Sequence, residues 1–162
     1  MQKSAVQKVS SRRRINPRTL AMTAILGAVA TVLMMLSFSL PVIPSFVKLD
    51  FSELPALIAA FALGPASGVG VCFLKNLINL TMSSTAGVGE LCNFLLGVTF
   101  VVPAGLVYKY RKDRWGALWG SLLGAVVMAV LSFPINYWIT YPFYTATMYP
   151  LEAILGLYQA IN

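Results

Sequence analysis

The chain has 162 residues, 58% of them hydrophobic and only 10% charged, with a mean hydropathy of +0.77. A soluble domain carries about 25% charged residues, so this composition excludes an ordinary water-soluble fold and predicts an all-α integral membrane protein forming one compact helical bundle. The net charge of +7 does not signal nucleic acid, because half of the 12 basic residues fall in the first 18 and four more between Lys109 and Arg114; basic clusters beside apolar runs are orientation signals for membrane insertion.

Residues 1–17 are basic and polar, a cytoplasmic segment suited to anionic lipid. The apolar run from Leu20 to Leu40 is too long for the core of a cleavable leader. It predicts helix 1 over residues 18–40, since about 20 apolar residues cross a hydrocarbon core of roughly 30 Å. Ala21, Ala24, Gly27 and Ala28 put small side chains on one face. Such a face lets helices approach closely, within this chain or against another membrane subunit. Pro41 and Pro44 end the helix.

Helix 2 is predicted over 52–63, short for a full span. Ser52 is placed as its N-cap, with Glu53 at the positive end of the helix dipole. Gly64-Pro65 makes a turn, and helix 3 follows over 65–82. Lys75, Asn76 and Asn79 form one polar stripe on it, open to two readings: hydrogen bonds between helices, or ligand contact. The Gly-containing loop 83–89 lacks the Gly-Lys-Ser/Thr ending of a Walker-type phosphate loop. Helix 4 is predicted over 89–108, with Glu90 and Asn93 on one face near its start. Glu90 serves either the dipole or a site.

Helix 5 is predicted over 115–138. Trp115 and Trp119 mark one end, and Tyr137, Trp138, Tyr141 and Tyr144 the other, as in the aromatic belts of bilayer interfaces. Asn136 is the polar group there with no packing explanation. Residues 139–162 are assigned to an outer segment and the start of a sixth helix.

The chain contains no His, which removes the commonest general base and metal ligand. Cys72 and Cys92 lie in apolar sequence without metal-like spacing. No metal, no cofactor and no covalent chemistry are expected, so an integral membrane enzyme is disfavoured. A small channel or structural protein assembled through helix 1 remains an alternative.

Asp50, Glu53, Lys75 and Glu90 sit in or beside lipid-soluble sequence, where a charge costs about 2.5–3.5 kcal/mol. They should face a cavity, a partner or a ligand. The basic clusters put the N-terminus and the 109–114 loop in the cytoplasm. Helices 2 to 4 then supply three crossings, and Asp50, Glu90, Asn93 and Asn136 converge on the outer face. Mostly apolar walls with a few convergent polar groups describe a ligand pocket.

Four blocks carry a resemblance: Lys48-Leu-Asp-Phe-Ser-Glu-Leu-Pro-Ala-Leu-Ile, Phe61-Ala-Leu-Gly-Pro, Lys75-Asn-Leu, and Gly87-Val-Gly-Glu-Leu-Cys-Asn-Phe-Leu-Leu-Gly97. In order and spacing they resemble the riboflavin-specific S components of energy-coupling factor (ECF) vitamin transporters. The resemblance implies a plasma-membrane, multi-pass binding subunit that takes riboflavin, or a close flavin analogue, from outside as a transported ligand. An S component for another small vitamin is the alternative. It implies flavin contacts from Leu49, Asp50, Glu90, Asn93 and Asn136. It also implies that Ala24 and Ala28 dock on a transmembrane coupling subunit driven by two ATPase subunits. The family has six helices, the last carrying an Asn and a Lys toward the flavin. This chain reaches Asn162 where that helix is expected to begin, and no Asn-x-x-Lys occurs in it. A bundle of five membrane helices, lacking the family's last, is therefore expected.

Overall fold

The computed structural model describes residues 16–37, 50–83 and 87–147, which are helical apart from short connections, with no strand among them. Helix α1 spans Pro17–Met35. Asn16 caps it by accepting from the Arg18 amide at 3.1 Å, and Pro17 fills the first position, where a missing N–H costs nothing. The helix ends at Met35 rather than at residue 40. The backbone turns out through Leu36 and Ser37, and residues 38–40 lie outside the described residues.

Helix α2 is Glu53–Ala62 and α3 is Pro65–Asn79, extended by a single 3-10 turn, Leu80–Met82. Gly64 joins them at φ +106°, a left-handed conformation that a side chain strains. Gly87 does the same at φ +89° before α4, Val88–Tyr110. Asp113 starts α5, Arg114–Ile135, by accepting from the Gly116 amide at 2.5 Å. That bond, with the Arg111 guanidinium beside it, holds the Asp113 carboxyl below its ordinary range.

The helix expected to stop at Trp138 instead continues through a π-helical turn, Asn136–Thr140, into α6, Tyr141–Thr147. Pro134 and Pro142 do not end it. In a membrane, hydroxyls, amides and local π turns take up carbonyls that a proline leaves unpaired. Pro134 leaves the Val130 carbonyl without its usual donor, and beside it Ser132 Oγ bonds the Ala129 carbonyl and Asn136 Nδ2 the Ser132 carbonyl, both at 2.8 Å, while past Pro142 Thr145 Oγ1 bonds the Tyr141 carbonyl at 2.9 Å.

Helix α3 is the centre of the bundle, packed against α1, α2 and α4, while α5 lies along α4. The core is built from small residues: Ala30, Ala56, Ala59, Ala60, Val71, Cys72, Val101 and Ala104 are buried. Lipid offers no hydrophobic drive between helices, so close backbone approach has to supply van der Waals contact. Gly68 shows how close: a Cβ there would meet the Val101 and Ala60 side chains and sit 2.9 Å from the Ala56 carbonyl oxygen.

Among the described residues, three helices are long and apolar enough to cross a membrane: Pro17–Met35, Val88–Tyr110 and Arg114–Phe143. At 1.5 Å per residue, α2 is only about 15 Å long and α3 about 22 Å. They are sheltered between the longer helices, and α2 begins well below the start of α4. The Glu53 carboxylate touches Gly97, nine residues into α4, or roughly 13 Å along its axis.

Candidate functional site

The polar residues gather at one end of the bundle, where α2 and α4 begin and α1, α3 and α5 finish. They form three layers of increasing depth. In the outermost, Glu90 accepts from Asn79 Nδ2 at 3.2 Å and from Ser83 Oγ at 2.7 Å. Ser83 Oγ in turn accepts from the Gly87 amide at 3.1 Å, which ties the two ends of the 83–87 connection. One turn of α4 further in, Asn93 Nδ2 donates to Asn76 Oδ1 at 3.1 Å and lies 3.9 Å from Met34 Sδ of α1. Asn76 Nδ2 donates to the Cys72 carbonyl at 2.8 Å. Glu90 and Asn93 therefore share a face of α4, as the i, i+3 spacing requires, and both turn to α3.

The deepest layer is ionic. Lys75 is 0% exposed, and its Nζ lies 2.6 Å from Glu53 Oε1 and 2.6 Å from Ser52 Oγ. Ser52 Oγ and the Ser52 amide both donate to Asp50 Oδ1, at 2.6 and 2.8 Å. Cys72 Sγ is 3.7 Å from Glu53 Oε2.

Several expectations change on this geometry. Lys75, Asn76 and Asn79 do not act as one stripe. Lys75 points to α2, and the two asparagines point to α4. A helical step of one residue turns by about 100°, enough to send neighbours 75 and 76 to different partners. Ser52 makes no side-chain cap on α2; Asp50 accepts its amide instead. Glu53 is more than a dipole partner, being the counter-ion of Lys75. The small face of α1 also splits. Gly27 is buried, with a Cβ position 2.9 Å from Leu74, whereas Ala21, Ala24 and Ala28 face outward.

Asn136 stands in the first position of the π turn and bonds the carbonyl of Ser132, one turn back. The same turn meets α4 through Thr140 Oγ1, 3.1 Å from Cys92 Sγ. Counting one antiparallel turn from that contact sets Asn136 about 6 Å deeper than Cys92, between the Asn93 and Gly97 levels. Leu49 lies outside the described residues. Ser83, Met34 and Thr140 join the polar end without having been singled out from sequence, and Ser52, singled out only as a cap, joins it as a relay. The apolar sequence around Lys75 signals that it needs an anion and further acceptors, without saying that Glu53 and Ser52 supply them.

Among the described residues no group of His, Cys, Asp and Glu is arranged to hold a metal ion. The arrangement offers carboxylate and amide edges, and one hydroxyl relay, at the end of an apolar bundle. It can hydrogen-bond a neutral polar ligand.

The ECF transporter substrate-specific component family matches residues 18–161. The chain belongs to that family. Similar proteins include the riboflavin transporter RibU of Staphylococcus aureus (strain TCH60), 33% identical over 139 residues that make up 84% of this chain and 74% of the relative. The riboflavin transporter FmnP of Bacillus subtilis (strain 168) is 35% identical over 131 residues, 79% of this chain and 69% of the relative. A solved structure of the S component of a bacterial ECF transporter superposes with a TM-score of 0.73 at 34% identity, covering 78% of this chain and 76% of that one. This S component is thus an all-α, multi-pass membrane protein and the substrate-binding part of a vitamin uptake transporter, not an enzyme.

Proposed function

We propose that the chain captures riboflavin from outside the cell at the polar end of the bundle, with its N-terminus in the cytoplasm of a plasma-membrane transporter. The observation that carries this reading is the pairing of Glu90 and Asn93 on one face of α4 with Asn79 and Asn76 of α3. Asp50 and Asn136 border the same end. The riboflavin transporters among its relatives support the choice of ligand.

Carboxylates accept hydrogen bonds and amides both donate and accept, which suits ribityl hydroxyls and the imide edge of a flavin. A phosphorylated flavin would call for exposed cations. Among the described residues the cation at this end is Lys75, buried against Glu53, which favours the uncharged vitamin. Ala24 and Ala28, exposed on α1, are the surface for a transmembrane coupling subunit, which two ATPase subunits drive.

Riboflavin titrated into detergent-purified protein should lose its fluorescence on binding. Asn93→Leu and Glu90→Leu should each weaken binding by about tenfold or more, as expected when a hydrogen bond to a buried ligand is lost. Fluorescence that is unchanged by a full equivalent of protein would remove riboflavin as the ligand.

A further inference from the structure

Lys75 cannot meet a ligand directly, yet it is joined to one of the proposed contact residues. Its ammonium is wholly enclosed and lies 2.6 Å from Ser52 Oγ. That hydroxyl lies 2.6 Å from Asp50 Oδ1. An ammonium only donates and a carboxylate only accepts, whereas a hydroxyl can do both. The direction of the chain is therefore fixed: Lys75 donates to Ser52, and Ser52 donates to Asp50. Glu53 balances the ammonium charge on the other side at 2.6 Å.

Without Lys75 the Ser52 oxygen loses the donor that fills its lone pair. With Lys75 in place its proton has one good acceptor, and both bonds from Ser52 converge on the same oxygen of Asp50. Among the described residues none bonds Asp50 Oδ2, so the second oxygen keeps its acceptor capacity while the first is held.

We infer that Lys75 and Ser52 are positioning residues for ligand capture: a buried relay, Lys75 to Ser52 to Asp50, holds the Asp50 carboxylate in the orientation that the substrate meets. The inference rests on the proposed flavin contact of Asp50, and its test separates the two. Riboflavin affinity is measured by fluorescence quenching on the full chain carrying Ser52→Ala, Asp50→Ala and both together. Ser52→Ala leaves the Lys75–Glu53 pair in place. It should weaken binding about tenfold in the otherwise unchanged chain and have no further effect beside Asp50→Ala. Ser52→Thr, which keeps the hydroxyl, should restore affinity.

Lys75→Met with Glu53→Gln removes both charges together and should reproduce the Ser52→Ala loss. Equal losses from Ser52→Ala with and without Asp50 would show a general packing effect and overturn the relay. Unchanged affinity in Lys75→Met/Glu53→Gln would overturn the part given to Lys75. Unchanged affinity in Asp50→Ala, with riboflavin still bound, would overturn the relay together with the proposed Asp50 contact.

Discussion

At the scale of single residues, the feature that governs stability is the ion pair between α2 and α3. Lys75 is wholly buried, and Glu53 keeps 22% of its side chain exposed. Removing one partner of a buried pair leaves an uncompensated charge, at a cost of about 3–5 kcal/mol. Because Glu53 reaches some solvent, Lys75→Met should fall at the low end of that range. Lys75→Met combined with Glu53→Leu should recover most of the loss, since replacing both ions with apolar groups is often neutral. Denaturant titration in detergent measures both. Equal destabilisation in the single and double variants would show that packing, not charge, sets the cost. The need for a partner was legible in the sequence, as an ammonium in apolar surroundings. Which carboxylate supplied it was not. Glu53 is 22 residues from Lys75 in sequence, and only the α2–α3 turn at Gly64 brings them together.

At the scale of elements, helix existence was readable from apolar runs and from Gly-Pro punctuation, whereas contact distance was not. Gly68 reads locally as a weak helix residue, yet it is the point where α2, α3 and α4 converge. A Cβ at Gly68 would press on Val101, on Ala60 and on the Ala56 backbone oxygen. Backbone cannot rotate out of the way as a side chain can, so the helices themselves would have to separate. Gly68→Leu should therefore destabilise by about 3 kcal/mol, the upper end of overpacking costs, with a loss of monodisperse folded protein on size-exclusion chromatography. Gly70→Leu is the milder comparison, because its Cβ would meet Thr23 Cγ2, at 3.1 Å, and no backbone atom. The end of α5 was misjudged. The aromatic belt after Asn136 suggests an interface and a helix end, but the chain continues through the π turn Asn136–Thr140 and past Pro142, because a π turn re-registers the backbone where a proline lacks its N–H.

At the scale of the molecule, the bundle has a polar end, a basic end and apolar flanks. Leu20, Ile25, Val29 and Val32 of α1 are exposed, as are Leu118, Leu122, Val126 and Val130 of α5, which suits contact with lipid. Between the exposed large residues of α1, Ala21, Ala24 and Ala28 open a shallow strip. A strip of small residues on an otherwise bulky flank lets a second membrane helix come close, and the proposed coupling subunit is the partner it would receive. Since neither alanine takes part in the buried core, Ala24→Trp and Ala28→Trp should leave folding and riboflavin binding unchanged and reduce recovery of the coupling subunit in co-purification by about tenfold or more. Gly27→Trp is the contrasting variant. It sits one residue away but faces inward against Leu74, so it should lose the fold and vitamin binding together. Full recovery of the coupling subunit with both tryptophans in place would move the docking surface off α1. Loss of vitamin binding by Ala28→Trp would mean that the outward strip and the inner core are not independent.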